Sequence, residues 1–262
     1  MKRFVMFASL AVALFFTAND TVVWARGAAD VANGLHNLSV TGGNPLLGPT
    51  GTIYVTDEDE ICVFCHTPHG GSLTGQLWNR EDPTGVFTHY NSASLTDYIR
   101  VTLSAARAVS NESLLCMSCH DGSISVNHLI NVPNDRTTPI TTIFGGGEDT
   151  EIAGIPGVVG ARIGASLNDT MGTGDLSDDH PISFSYSSVW AQDIYQTGSR
   201  MGELHNTTDA VNAGVRFFGS TQRVECSSCH DPHVDYITQA EYTPFLITSN
   251  SGSKLCLACH NK

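Results

Sequence analysis

The chain has 262 residues, a formal net charge of −13 and eight cysteines. This acidic balance disfavours nucleic acid and anionic membranes as partners, because both would repel a negatively charged protein. Beyond the N-terminal segment, no stretch is apolar over the roughly 20 residues that a membrane-spanning helix needs, so no membrane span is predicted.

The N-terminal segment is predicted to direct export. Two basic residues precede a short apolar run at 4–18, the pattern of a secretory signal. Val23-x-Ala25 fits the small-residue cleavage rule, so a signal peptide is predicted at 1–25 and a single exported domain at 26–262. The expected location is extracellular, after maturation in the periplasm. A protein that remains in the periplasm is the alternative.

The first CxxCH motif lies within the octet CVFCHTPH, residues 62–69. A CxxCH motif attaches a c-type haem through two thioether bonds, and its histidine binds the iron. His69 is a second histidine that this motif does not need. Proline fixes its own φ and extends the residue before it, so Thr67-Pro68 is too short and stiff to carry His69 to the far face of the same haem. We therefore expect His69 to bind a different iron, or none.

A helix is predicted at 94–109, where Leu95, Ile99 and Leu103 recur on one face. The second CxxCH follows at 116–120 without an extra histidine, and a short helix is expected to lead into each motif. Between 145 and 174 the chain is rich in glycine and lacks a helical or strand period, so it is predicted to be a loop.

The second half of the chain repeats the pattern of the first. The octet CSSCHDPH at 226–233 again ends in an extra histidine, His233, and a plain CxxCH follows at 256–260. We therefore expect two haem-pair modules, around 60–130 and 224–262, joined by a glycine-rich segment at about 131–223.

All eight cysteines belong to the four CxxC pairs. Disulfides would suit an exported protein, and paired CxxC knuckles would suit zinc. Neither requires a histidine after the second cysteine, yet one follows every pair, which favours four covalently attached c-type haems with iron. The predicted haem-attaching cysteines are Cys62, Cys65, Cys116, Cys119, Cys226, Cys229, Cys256 and Cys259. The predicted iron-binding histidines of the motifs are His66, His120, His230 and His260.

Four haems in a chain of this length must form much of its core. The predicted fold class is therefore a mostly irregular, coil-rich and haem-dominated multihaem cytochrome c with few short helices and minor strands.

Each iron also needs a sixth ligand. The histidines outside the motifs are His36, His69, His89, His128, His180, His205 and His233, whereas Met171 and Met201 are the rival ligands in the mature chain. Bis-histidine ligation at all four haems is favoured, and it implies lower potentials than methionine ligation.

Several words along the chain resemble the extracellular tetrahaem c-type cytochromes of metal-reducing microbes, the cytochrome nanowire family that polymerises into conductive filaments. These words are HNLS (36–39), EICVFCHTPH (60–69), LWNR (77–80), LLCMSCHDGSISV (114–126), DHPISF (179–184), VECSSCHDPH (224–233) and SGSKLCLACHNK (251–262). They span most of the mature chain.

The resemblance implies distal ligation by four histidines: His36, His69, His180 and His233. In this family every haem has two histidine ligands, and one histidine of each subunit reaches a haem of the next. His36 and His69 are the candidates for that role, because they lie early in the chain. His233 is assigned to the last haem, whose motif is only a loop away along the chain.

The predicted function is extracellular electron transfer rather than catalysis, with the chain as the subunit of a conductive filament. Its expected partners are copies of itself, other redox cytochromes and extracellular acceptors such as metal oxides. A soluble periplasmic tetrahaem shuttle is the alternative. A multihaem reductase is less favoured, because it would need an open axial site or an altered motif such as CxxCK, and the sequence contains no CxxCK.

Overall fold

The structure is a computed structural model. It describes residues 31–42, 57–72, 75, 77–83, 87–93, 95, 97–104, 108–120, 128–133, 140, 175–177, 179–193, 202–236 and 238–261. The predicted signal peptide at 1–25 and the predicted loop between 145 and 174 lie outside these residues.

Short helices and irregular segments make up the described chain, as the predicted coil-rich class requires. The α-helices are α1 (Asp97–Ser104), α2 (Asn111–His120), α3 (Tyr186–Asp193), α4 (Thr207–Asn212) and α5 (Lys254–Leu257). Short 3₁₀ helices span Ile61–Phe64, Cys226–Ser228, Ala240–Tyr242 and Ser251–Ser253. Two strands, β1 (Phe184–Ser185) and β2 (Arg223–Val224), pair antiparallel with Phe184 opposite Val224. Nothing in the described ranges forms a helix long and apolar enough to cross a membrane.

The helix predicted at 94–109 is present but shorter, as α1. Its expected apolar face is confirmed, because Leu103 is buried while Leu95 and Ile99 pack against the same cluster. Val109 lies outside the helix and is buried in a different cluster, beside Met117. The apolar period in the sequence therefore includes a residue that packs in another part of the core.

The buried apolar residues form several small clusters instead of one large core. Their buried members are Leu103, Phe184, Tyr186, Val189 and Val224; Phe64, Leu129 and Ile140; Val109, Met117 and Leu176; and Ala210, Val215 and Ala258. Phe64, Met117 and Ala258 come from inside the first, second and fourth CxxCH motifs, and Val224 lies just before the third. Each motif is therefore anchored in an apolar cluster of its own.

A buried carboxylate joins α2 to the segment that enters the third motif. Glu225 is 1% exposed and accepts hydrogen bonds from the hydroxyls of Ser113 (2.6 Å), Ser183 (2.9 Å) and Ser110. The Nε of Arg223 donates to it at 3.0 Å. A buried charge is tolerated when donors surround it, and these donors come from three separate segments. The node therefore fixes the second motif against the third.

Candidate functional site

Each CxxCH motif folds as one helical turn. The backbone N–H of the histidine donates to the carbonyl of the first cysteine in motifs one, three and four, at 2.7, 3.0 and 2.9 Å, and motif two is the last turn of α2. Residues i, i+3 and i+4 share one face of a helical turn. The spacing of the motif therefore brings both thiols and the imidazole to the same side.

The four motifs lie side by side in chain order. Neighbouring motifs approach through cysteine pairs: Cys65 with Cys119, Cys116 with Cys226, and Cys229 with Cys259. The middle pair shares a hydrogen bond between its thiols. None of the eight cysteines forms a disulfide. Spacing along the chain had left the spatial order of the motifs open, and the structure supplies it.

The pKa is raised for four of the eight thiols, whereas the hydrogen bond with Cys116 lowers the pKa of Cys226. Burial raises the pKa of Cys65 to about 12 and that of Cys229 to about 11. The hydrogen bond with Cys226, together with burial, raises the pKa of Cys116 well above its ordinary value. An activated thiolate nucleophile needs a lowered pKa. These three thiols are instead neutral groups, as suits cysteines whose partner is a large apolar molecule.

A cleft of about 1040 Å³ opens at the first motif. Its lining includes Cys62, His66 and His69, together with Leu77, Ile130 and Val132. The three apolar side chains are 51%, 38% and 36% exposed. A mostly apolar concave surface with a few polar groups is typical of a cofactor site. Cys62, His66 and these apolar side chains are the residues that would hold a haem attached at this motif.

Two pairs of histidine rings have the spacing expected of axial ligands. The ring centroids of His66 and His233 are 6.2 Å apart with an interplanar angle of 25°, and those of His36 and His120 are also 6.2 Å apart. Imidazole nitrogens bind a first-row metal at about 2.0 Å, so two rings on opposite sides of one ion have centroids ~6 Å apart. Each pair joins one histidine of a CxxCH motif to one outside it.

His36 lies at the centre of a group of histidines. Burial, followed by the proximity of His120, His233 and His230, lowers the pKa of His36 to about 4. Its imidazole is therefore neutral at neutral pH and keeps a lone pair for a metal. Its Nδ1 is buried and has no hydrogen-bond partner among the described residues, whereas buried polar atoms are normally paired.

In two other histidines, a hydrogen bond at Nδ1 orients the ring and leaves Nε2 as the nitrogen that could bind a metal. The Nδ1 atoms of His230 and His180 lie 3.1 and 3.0 Å from the carbonyls of Pro244 and Pro181. A carbonyl only accepts, so the proton is on Nδ1 and the lone pair is on Nε2. Metal-bound histidines usually donate their second ring nitrogen in this way. Burial lowers the pKa of both rings, so both are neutral.

His69 is exposed, but its backbone is held firmly. Its carbonyl accepts from the hydroxyl of Thr67 and from the side-chain amide of Asn131, both at 2.9 Å. The same amide nitrogen lies 3.1 Å from the carbonyl of Gly70. Asn79 in turn accepts from the backbone N–H of Asn131 at 2.8 Å. These bonds hold the backbone of the loop, and His69 is exposed at the edge of the cleft beside the first motif.

The remaining histidines have other surroundings. His128 forms an exposed ion pair with Glu81 at 3.4 Å, and His89 is buried. The carbonyl of His205 accepts from the hydroxyl of Tyr186. His260 is exposed and pairs through its backbone with Leu204. The two histidine ring pairs seen among the described residues do not include His180.

The residues present fit a haem. A haem iron takes four nitrogens from its porphyrin, so the protein supplies only a pair of ligands. Within the described part of the chain, two such pairs of histidine rings occur, His36 with His120 and His66 with His233. Free thiols also stand beside each motif histidine, ready for thioether bonds.

Sequence reasoning missed three polar residues around this site, Asn131, Asp231 and Arg216. Asn131 belongs to no motif, and Arg216 lies ten residues before the third motif. Asp231 is inside the second octet, where its difference from Thr67 was the available signal. No family model matches the chain, and no curated protein is significantly similar to it.

Proposed function

We propose that the chain carries four covalently attached c-type haems and passes electrons along them. The observation that carries this proposal is the arrangement of the four CxxCH turns, whose cysteines lie near enough to influence one another's pKa in chain order, with a thiol hydrogen bond between the second and third motifs. Haems attached to adjacent turns would lie close together. The haem supplies the one-electron chemistry, and the protein sets its position, ligands and surroundings. Such a haem-dominated core would also explain why the apolar clusters are small.

The proposed ligands are histidines in every case. His66, His120, His230 and His260 bind from the motifs, and His36, His69, His180 and His233 bind from the opposite faces. The 6.2 Å ring spacings favour His36 with His120 and His233 with His66. Chain proximity favoured the last haem for His233, but its ring lies beside the first motif. A haem attached by thioethers to the first module would then be bound by a histidine of the second module, so that this haem links the two modules.

We also propose that His69 binds a haem of a neighbouring subunit in a filament. His36 is enclosed by histidines of its own chain, which leaves His69 as the exposed candidate on a rigid loop. The internal repeat indicates its target. Since His233 of the second octet reaches the first octet's motif, His69 would by the same step reach His230 of the preceding subunit. The partner is then a second copy of this chain, which extends the line of haems.

The filament would conduct electrons outside the cell to other redox cytochromes or to acceptors such as metal oxides. This role needs no bound substrate and no open axial site. The acidic surface favours a protein that remains soluble in its export compartment until it assembles.

Electron microscopy of the native, haem-loaded protein from the culture medium tests this function. We expect long filaments with a regular repeat for the wild type and for His128→Ala, which removes an exposed histidine assigned no ligand role. His69→Ala should yield only small particles. Small particles for the wild type at high concentration would instead indicate a soluble shuttle. If His69→Ala still forms filaments in which every haem stays low-spin, His69 neither binds an iron nor is needed for assembly.

A further inference from the structure

The two octets differ at the residue that follows the motif histidine, and this difference carries a consequence for the haems. CVFCHTPH has Thr67 at this position, and CSSCHDPH has Asp231. We infer that Asp231 is a positioning residue that lowers the reduction potential of the haem bound by His233. This inference rests on the proposed function, because it requires His233 to bind an iron.

Asp231 contacts the ring of the extra histidine directly. One oxygen, Oδ1, lies 3.0 Å from Nδ1 of His233 and accepts the backbone N–H of the same residue at 3.0 Å. An ionised carboxylate only accepts, so the ring proton lies on Nδ1 and the lone pair of Nε2 is left for a metal. Asp231 is 9% exposed, so little water competes for this contact.

A cation holds the other oxygen of the same carboxylate. Both terminal nitrogens of Arg216 donate to Oδ2 of Asp231 at 3.1 Å. The backbone of Asp231 is also fixed, because its N–H donates to the carbonyl of Phe245 at 2.9 Å. Arg216, Asp231 and His233 therefore form a line of charge-assisted hydrogen bonds that ends at the proposed ligand.

The first octet lacks this line. The hydroxyl of Thr67 donates to the carbonyl of His69 at 2.9 Å and accepts from the side-chain amide of Asn131 at 3.2 Å. These contacts hold the backbone of His69, and they leave its ring without a carboxylate on Nδ1. One octet therefore fixes a ligand's position, whereas the other also changes its electronic character.

The carboxylate makes the imidazole a stronger electron donor. A histidine that donates Nδ1–H to a carboxylate is a more basic ligand through Nε2. A more basic ligand and a nearby negative charge both stabilise ferric iron, which carries one more positive charge than ferrous iron. In each transfer one electron reaches the ferric haem, which becomes ferrous, and the donor haem becomes ferric. The haem bound by His233 should accept that electron less readily, and Arg216 should partly offset this effect.

Redox titration of the haem-loaded, full-length protein tests the inference. Asp231→Asn keeps a hydrogen-bond acceptor of the same shape and removes the charge. We expect it to favour reduction of one haem about tenfold, which for one electron is about 59 mV, and to leave the other three unchanged. Arg216→Gln should shift the same haem in the opposite direction. Thr67→Asp should lower the potential of the haem that His69 binds.

These variants distinguish an electronic role of Asp231 from a structural one, because Asp231→Asn and Arg216→Gln should shift the reduction potential in opposite directions. If Asp231→Asn and Arg216→Gln move the potential in the same direction, or if Asp231→Asn moves none of the four, the inference is wrong. A haem assay on each variant verifies that all four haems are attached. His233→Ala tests separately whether His233 binds an iron at all. A fully low-spin spectrum for that variant would refute this ligation. One high-spin haem in His233→Ala, with unmoved potentials in Asp231→Asn, would refute only the role of Asp231.

Discussion

The two octets have the same five fixed letters but face in different directions. In the first, the loop that carries His69 is tied by Asn131, and the histidine ring is exposed. In the second, Asp231 holds the ring of His233 itself, and that ring lies 6.2 Å from His66 of the other module. The motif therefore fixes the local turn, whereas the neighbours of each turn decide whether its extra histidine serves the inside or the outside of the chain.

The largest expected effect comes from removing each extra histidine in turn. If His69 binds a haem of a neighbouring subunit, as we propose, dissociated wild-type subunits should contain one high-spin haem. His69→Ala should leave the spectrum of dissociated subunits unchanged, whereas His233→Ala should add a second high-spin haem. Electron paramagnetic resonance and absorption spectra of dissociated subunits measure this difference. If both variants change the dissociated subunit equally, the contrast between an outward and an inward octet is wrong.

A second difference between the octets lies just before the first cysteine, where one has Ile61 and the other the buried Glu225. Glu225→Gln removes a charge that accepts bonds from three serine hydroxyls and Arg223. We expect a loss of about 2 kcal/mol in the free energy of unfolding, as for other charged hydrogen bonds. Denaturant titration of the haem-loaded protein measures it.

The matched control for this change is Glu241→Gln, because Glu241 is exposed in a 3₁₀ helix. Surface substitutions of this kind change stability by less than about 0.5 kcal/mol. An equal and small effect of both variants would show that the buried node does not fix the second motif against the third.

Local features of this molecule were predictable because they depend on spacing along the chain. The i, i+3, i+4 spacing of each motif requires a helical turn to bring its thiols and imidazole together. The apolar face of α1 followed from Leu95, Ile99 and Leu103 in the same way. The coil-rich character followed from the expectation that cofactors, not secondary structure, fill the interior.

Long-range pairs could not be read in this way. His36 meets His120, and His66 meets His233, across 84 and 167 positions of the chain, and no periodicity links such partners. Asn131 lies in no motif, yet its side chain ties the His69 loop. Which residues surround a motif depends on tertiary packing, so the direction of each octet and the order of the motifs required the structure.

The smallest expected effect tests how the outward octet is held. Asn131→Ala removes the amide that bonds the carbonyls of His69 and Gly70 and the hydroxyl of Thr67. A typical hydrogen bond contributes about 1 kcal/mol, so the freed loop should weaken assembly about fivefold without removing any ligand. The critical concentration for filament formation measures this change. Asn91→Ala, at an exposed position, is the control and should leave it unchanged. Because His69 itself is intact, the filaments of Asn131→Ala should remain fully low-spin, and a high-spin haem within them would mean that Asn131 affects ligation directly and not through the order of its loop.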